Sequence, residues 1–200
     1  MKLLTILLVS LLFSGSAFAN DHHGNNERMS WSIDRAHSNI LFTINHFFNK
    51  VPGTFNDFTG TVVFNPSAPE LSEIDVQVNV ASVNTNVERR DDHLRSGDFF
   101  GVEEFPQMHF RSTDVRHLDG QSYVAVGQLT IKDVTREVEL PFEFLGVTEH
   151  LMREGVMVAG LHGELSLNRN DFGVGVGDWA STAIIGNEVN IQIFLQVHAD

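Results

Sequence analysis

The residues most able to do chemistry stand in one run, RRDDHLRSGDFFGVEEFP, at positions 89–106. Within it Asp92 could orient His93 as a general base. The same cluster of acids, arginines and one histidine could instead be a metal site, or the solvated face of a helix. No nucleophile or second acid stands nearby to complete a catalytic set. Acids early and Arg95 late suit the dipole of a short helix over about 87–95. Phe99 and Phe100 would then dock the end of that helix on the rest of the protein, and a structural role is the expectation.

Other chemistry is sparse. The ten histidines are scattered, and none has the His-x-x-x-His or His-Glu-x-x-His spacing that puts two ligands on one helix face. His22-His23 could bind a metal weakly, but no dedicated metal site is expected. Ser96 follows Arg95 and Ser181 follows Ala180, so no Gly-x-Ser-x-Gly nucleophile motif is present. Gly173, Gly175 and Gly177 alternate with valines like a phosphate loop. They do not lie between a strand and a helix, and no Lys-Ser/Thr follows, so a tightly bent or mobile loop is expected.

These residues must be positioned by a chain with clear bounds. Positions 1–19 carry Lys2, an apolar run from Leu3 to Phe13, and Ala17-Phe18-Ala19. Those features predict a cleaved secretory signal peptide. The apolar run is shorter than the ~20 residues a membrane helix needs, so no stable membrane insertion is expected. Positions 20–30 are polar and predict a flexible lead-in; 31–200 form one domain. There is no cysteine, which excludes disulfides, thiol catalysis, cysteine metal sites and a lipid-anchored cysteine. The formal net charge is −13, and removing Lys2 with the leader makes it more negative. Such a protein is repelled by nucleic acid and by anionic surfaces, so no nucleic acid partner is expected.

From Trp31 onward the dominant period is two. Ile40, Phe42 and Ile44 share one face. So do Ile74, Val76, Val78 and Val80; Val138, Leu140, Phe142 and Phe144; and Val189, Ile191, Ile193, Leu195 and Val197. Val62 with Phe64, and the stretches 108–115, 123–131 and 157–167, add shorter candidates. One dry face and one wet face mark antiparallel strands. Turn signals fall at Pro52-Gly53, Asn65-Pro66-Ser67, Asp119-Gly120 and Gly186-Asn187. About eight strands closed on themselves make a barrel just wide enough for side chains or one ligand. Alternation alone leaves two interiors open: a solid core, or an apolar tunnel. Phe, at 16 residues against 2 Trp and 1 Tyr, suits a lining with few hydrogen-bonding groups.

The order of motifs resembles a known family. Ile33-Asp34-Arg35-Ala36-His37-Ser38 is followed by Phe42-Thr-Ile-Asn-His46, Gly53-Thr-Phe55 and Phe58-Thr-Gly60. Arg90-Asp-Asp-His93-Leu94-Arg95-Ser96 and Asp98-Phe99-Phe100 come next. Phe105-Pro106, Phe110-Arg-Ser112-Thr113, Gly127-Gln-Leu129-Thr130-Ile131, Val134-Thr135, Asn168-Arg169 and Asp171-Phe172-Gly173 complete the set. In this order they are similar to the YceI-like family of exported bacterial proteins, related to polyisoprenoid-binding proteins. Two positions depart from the family habit: Lys132-Asp133, where a glycine is common, and Gly101, where an acid is common.

The resemblance implies an all-β, eight-stranded antiparallel lipocalin-like barrel with an apolar pore and a short helical excursion. It implies a periplasmic protein that holds a polyisoprenoid, isoprenoid quinone or similar amphiphile, for transport, storage or stress protection. Such a protein has no cofactor apart from the bound lipid-like ligand, no catalytic residue, and room for a homodimer. Alternation then assigns the lining to Phe42, Ile44, Val76, Val78, Phe110, Leu140, Phe142, Ile191 and Ile193. His93, Phe99 and Phe100 become a gate or plug. The rival expectations are a lipid-modifying enzyme using His93 and Asp92, and a filled-barrel stress or interaction protein.

Overall fold

A computed structural model describes residues 29–181 and 183–199. The expected leader at 1–19 and residues 20–28 of the expected lead-in at 20–30 lie outside the described residues, while Ser30 already belongs to the first strand.

The alternating stretches form strands, and eleven strand segments fill eight places around a closed antiparallel barrel. Three of those places are each built from two segments. β1 (Ser30–Ile33) and β2 (Asn39–His46) both pair with β11 (Ile185–Ala199), Ile33 opposite Val197 and Asn39 opposite Phe194. β3 (Asn49–Phe55) pairs with β2, and its continuation β4 (Phe58–Val63) pairs with β1. β5 (Glu73–Asn79) and β6 (Val83–Asn84) lie against β4 and β3 in turn. β7 (Gln107–Asp119), β8 (Ser122–Ile131), β9 (Val134–Glu149) and β10 (Met157–Asn168) then lead round to β11.

The three interruptions lie side by side and are stitched together by side chains. Between β1 and β2, the backbone N–H of Asp34 donates to Gln196 O at 2.8 Å, and Ser38 Oγ accepts from Gln196 N at 3.0 Å. Residues 34–38 thus bulge out opposite Leu195 and Gln196. Arg35 donates to Asp57 at 2.7 Å and to Asn56 O at 3.0 Å. Asn79 donates to the other Asp57 oxygen at 2.9 Å, and Ser82 Oγ accepts from Asp57 N at 3.0 Å. Asn56 O and Asp57 N, freed from the ladder by the break between β3 and β4, thus find partners in the neighbouring breaks.

Two expected turns are not turns. Pro52-Gly53 lies inside β3, with Pro52 opposite Thr43. A proline is tolerated there because β6 covers the far edge of β3 only at Thr54 and Phe55. The hairpin actually turns at Phe47-Phe48. Gly186-Asn187 lies within β11, at an irregularity between Ile185 and Val189. The helix, α1 (Glu88–Arg95), matches the expected excursion, with Val87 as its N-cap residue. The Arg95 guanidinium ties it down by donating to Ala81 O and Val83 O, both at 2.9 Å.

The interior divides into two apolar clusters. One packs Trp31, Val62, Phe64, Ile74, Val115, Tyr123 and Phe142 at the end where β1, β4 and the C-terminus of β11 meet. Phe64 sits edge-on to Tyr123 and Phe142, which stack on each other, so this end is solid. The other gathers Ile40, Phe55, Phe58, Val83, Phe99, Met108 and Phe172 around α1 at the opposite end.

Candidate functional site

Between the two clusters lies a cavity of about 400 Å³, within the ~300–1,000 Å³ typical of small-molecule sites. Its walls are the inward faces of the strands, and the structure places all nine alternation-derived residues on them. Phe42 and Ile44 come from β2, Val76 and Val78 from β5, and Phe110 from β7. Leu140 and Phe142 come from β9, Ile191 and Ile193 from β11. Eight of the nine are only half-buried, because each also faces the cavity. Phe142 differs: it is 6% exposed and belongs to the solid cluster, so it forms the floor of the cavity.

Sequence reasoning missed several wall residues. Leu165 and Leu167 of β10, Leu129 of β8 and Val51 of β3 also line the space. Leu165 and Leu167 continue the period-two pattern that identified the others. Val51 was hidden by the reading of Pro52-Gly53 as a turn.

Apart from His109, which meets Asp75 at 2.7 Å, the polar members of the lining gather at the α1 end: His46, Thr85, Arg90, His93 and Arg169. Arg90, His93 and Leu94 face the cavity because they are three and four residues apart on one side of α1. Arg90 donates to Thr85 Oγ1 at 2.7 Å and to Thr85 O at 2.8 Å. Asp91, 6% exposed, accepts from the backbone N–H and hydroxyl of Thr85. This network fixes the chain where it leaves the barrel for the helix.

Arg169 is 5% exposed and has no carboxylate partner among the described residues. Its guanidinium donates instead to five carbonyls, those of Val174, Gly175, Trp179, Ile185 and Gly186. Burial lowers its pKa. The glycine-rich loop is therefore a bent strap wrapped on a cation, with Gly173, Gly175 and Gly177 all at left-handed φ near +65°. A Cβ at Gly175 would stand 2.6 Å from Arg169 Nη1 and 2.7 Å from the Phe99 ring. No phosphate-loop geometry is present, since only a 3-10 turn at Gly177–Trp179, and no α-helix, follows.

The Asp92–His93 pair that the enzyme alternative needs does not form. Asp92 pairs with Arg95 at 3.0 Å, and His93 Nε2 meets Asp98 at 2.9 Å. A three-residue step along the helix puts Asp92 beside Arg95, while His93 turns inward. Its ring packs edge-on against Phe99 and Trp179, with centroids 5.0 and 4.7 Å away. Phe99 is buried, and Phe100 meets Phe55 edge-on at 5.8 Å. His93, Phe99 and Phe100 all reach the cavity at this end. Among the described residues no three His, Asp or Glu side chains converge as metal ligands. Among the described residues no helix is long and apolar enough to cross a membrane.

Both departures from the family habit have a backbone explanation. Lys132 turns between β8 and β9 at φ +56, a conformation that favours glycine. Its Nζ donates to Gly173 O at 3.0 Å and lies over the Phe105 ring. Gly101 occupies φ +62, and its N–H closes a turn on Ser96 O at 2.8 Å.

The YceI-like domain family matches residues 31–197. Protein YceI of Escherichia coli O157:H7 is 35% identical over 175 residues, which are 86% of each chain. The crystal structure of BcnA from Burkholderia cenocepacia superposes with a TM-score of 0.74 at 25% identity, over 84% of this chain and 99% of that one. A domain from Saccharophagus degradans, described as polyisoprenoid-binding and implicated in plant cell wall breakdown, has a TM-score of 0.61. At 13% identity over 87% of this chain and all of that one, it shows the shared fold.

Proposed function

Because this chain belongs to the YceI-like domain family, we propose that it is an exported periplasmic binding protein that holds one long apolar ligand inside the barrel. The ligand is a polyisoprenoid, an isoprenoid quinone or a similar amphiphile, held for transport, storage or protection under stress. One observation carries this reading: apolar side chains wall a cavity of about 400 Å³ while remaining half-buried. Exposed apolar walls are worth ~25 cal/mol per Å² to any hydrocarbon that covers them. A chain of isoprene units gains this without hydrogen bonds, which suits a wall of Phe, Ile, Val and Leu. The polar groups at the α1 end, His46, Arg90 and His93, suit the oxygen-bearing end of such a molecule.

Binding without catalysis is favoured over the enzyme reading by the partners of Asp92 and His93. The cavity speaks likewise against a filled-barrel interaction protein. Organic extraction and mass spectrometry of protein purified from the periplasm is the test. A stoichiometric apolar molecule is expected. Protein that carries none and takes up no added prenyl lipid would overturn the proposal.

A further inference from the structure

We infer that the β2–β3 hairpin is a bilayer-docking element, inserting Phe47 and Phe48 among uncharged lipids so that ligand passes directly between membrane and cavity. This rests on the reading of the cavity as a site for an apolar ligand. Phe48 at the tip is fully exposed and Phe47 is 58% exposed. Phe47 is held at φ +50, a region that bulky residues rarely adopt. Its N–H donates to Ile184 O at 2.8 Å, which sets the tip against a second exposed apolar residue, Ile184.

The tip is continuous with the cavity. His46 and Ile185, each one residue from Phe47 and Ile184, line it. The His46 ring packs edge-on against Phe47 at 4.9 Å. An apolar ligand has negligible solubility in water, so a mouth rimmed with exposed phenyl rings is placed for transfer from a lipid phase.

Charge selects the kind of surface. The chain carries a net −13, yet no acid lies between Asp34 and Asp57, where only Arg35 and Lys50 are charged. The hairpin itself thus brings no acidic side chain to a lipid surface. A single lysine near the tip is too little to anchor on anionic lipid, so the affinity resides in the rings, which favour the interfacial zone.

The test uses the exported chain with vesicles of phosphatidylcholine. A Phe48→Trp variant should show a blue-shifted emission component that brominated lipid quenches, unchanged at high salt. Phe48→Asp should lower vesicle binding about tenfold or more and slow ligand transfer to the vesicles, with melting temperature unchanged. Wild-type protein that carries ligand yet never binds the vesicles would overturn the docking inference and leave the cavity reading standing. Vesicle binding by protein that takes up no lipid would overturn the cavity reading instead. If Phe48→Asp leaves vesicle binding intact but dissociates a dimer, the tip serves a second copy and the inference falls.

Discussion

Phe42 on β2 stands directly opposite Gly53 on β3, and its ring lies over the glycine. A Cβ at position 53 would come within 2.6 Å of a ring carbon. The missing side chain lets the ring lie against the wall and keeps the bore open. Gly53→Ala should therefore push Phe42 into the cavity, costing ~1–3 kcal/mol in urea denaturation and reducing uptake of a fluorescent long-chain probe. Phe42→Leu in the Gly53→Ala background should restore much of both, since a smaller side chain can yield. Full uptake by Gly53→Ala alone would refute this role for the pair.

Filling the cavity should separate ligand capacity from stability. Val76 and Ile191 face the space from β5 and β11 and are only half-buried. Val76→Phe combined with Ile191→Phe should keep or raise the urea midpoint, as cavity-filling changes often do. Lipid recovered by extraction should fall well below one molecule per protein. A charged residue at Phe142 would be a poorer probe, because that ring is stacked in the solid cluster and the change would unfold the barrel.

His93→Ala should cost ~1 kcal/mol by removing the edge contacts to Phe99 and Trp179. It should also speed ligand release, measured by transfer to acceptor vesicles, if this corner gates the cavity. Asp92→Asn should change neither, since the exposed Asp92–Arg95 pair contributes little. A release rate that responds to Asp92 but not to His93 would reverse the assignment.

Arg169 should be irreplaceable by lysine. An ammonium has three donors where the guanidinium serves five carbonyls in a planar fork. Both Arg169→Lys and Arg169→Met should destabilise by ~3 kcal/mol or more in urea, because buried carbonyls lose their partners. Gly175→Ala should do likewise through the strap. Near-wild-type stability of Arg169→Met would sink this account.

Acid should weaken the bulge between β1 and β2. The hydrogen bond from His37 at 2.7 Å, and then that from the Ala36 N–H, hold the Asp34 carboxyl below its ordinary value of 3.8. Burial opposes them. A carboxyl with a depressed folded-state pKa adds stability that is fully present above its unfolded value and lost as pH falls through the folded one. The stability gap between wild type and Asp34→Asn should therefore be constant at neutral pH and shrink below about pH 4. Urea midpoints across pH 7 to pH 2.5 would show it, and a gap that persists at the acid end would count against the role of Asp34.

Much of the fold was legible because alternation is a property of each strand alone. Phe42 and Ile44, or Ile191 and Ile193, declare a shared dry face whatever lies opposite. The acids and arginine of 88–95 declared a helix for the same local reason. The motif order was enough to indicate the family. What alternation cannot convey is distance across the barrel. Phe142 and Phe110 read alike in sequence, yet one is wedged between Tyr123 and Phe64 while the other faces open space. The side chains that fill one end come from segments far apart in the chain, such as Trp31, Phe64 and Tyr123.

The partner of a charged group is non-local too. Asp92 precedes His93 in the chain, but helix geometry gives it Arg95 and leaves His93 to Asp98. By itself the sequence determined which residues face inward, because a period of two is set by the pleat of each strand. Only the tertiary structure decided that one end is packed solid while the space between it and the α1 end stays hollow. That outcome depends on how three broken strands, a helix and the strap on Arg169 meet in space.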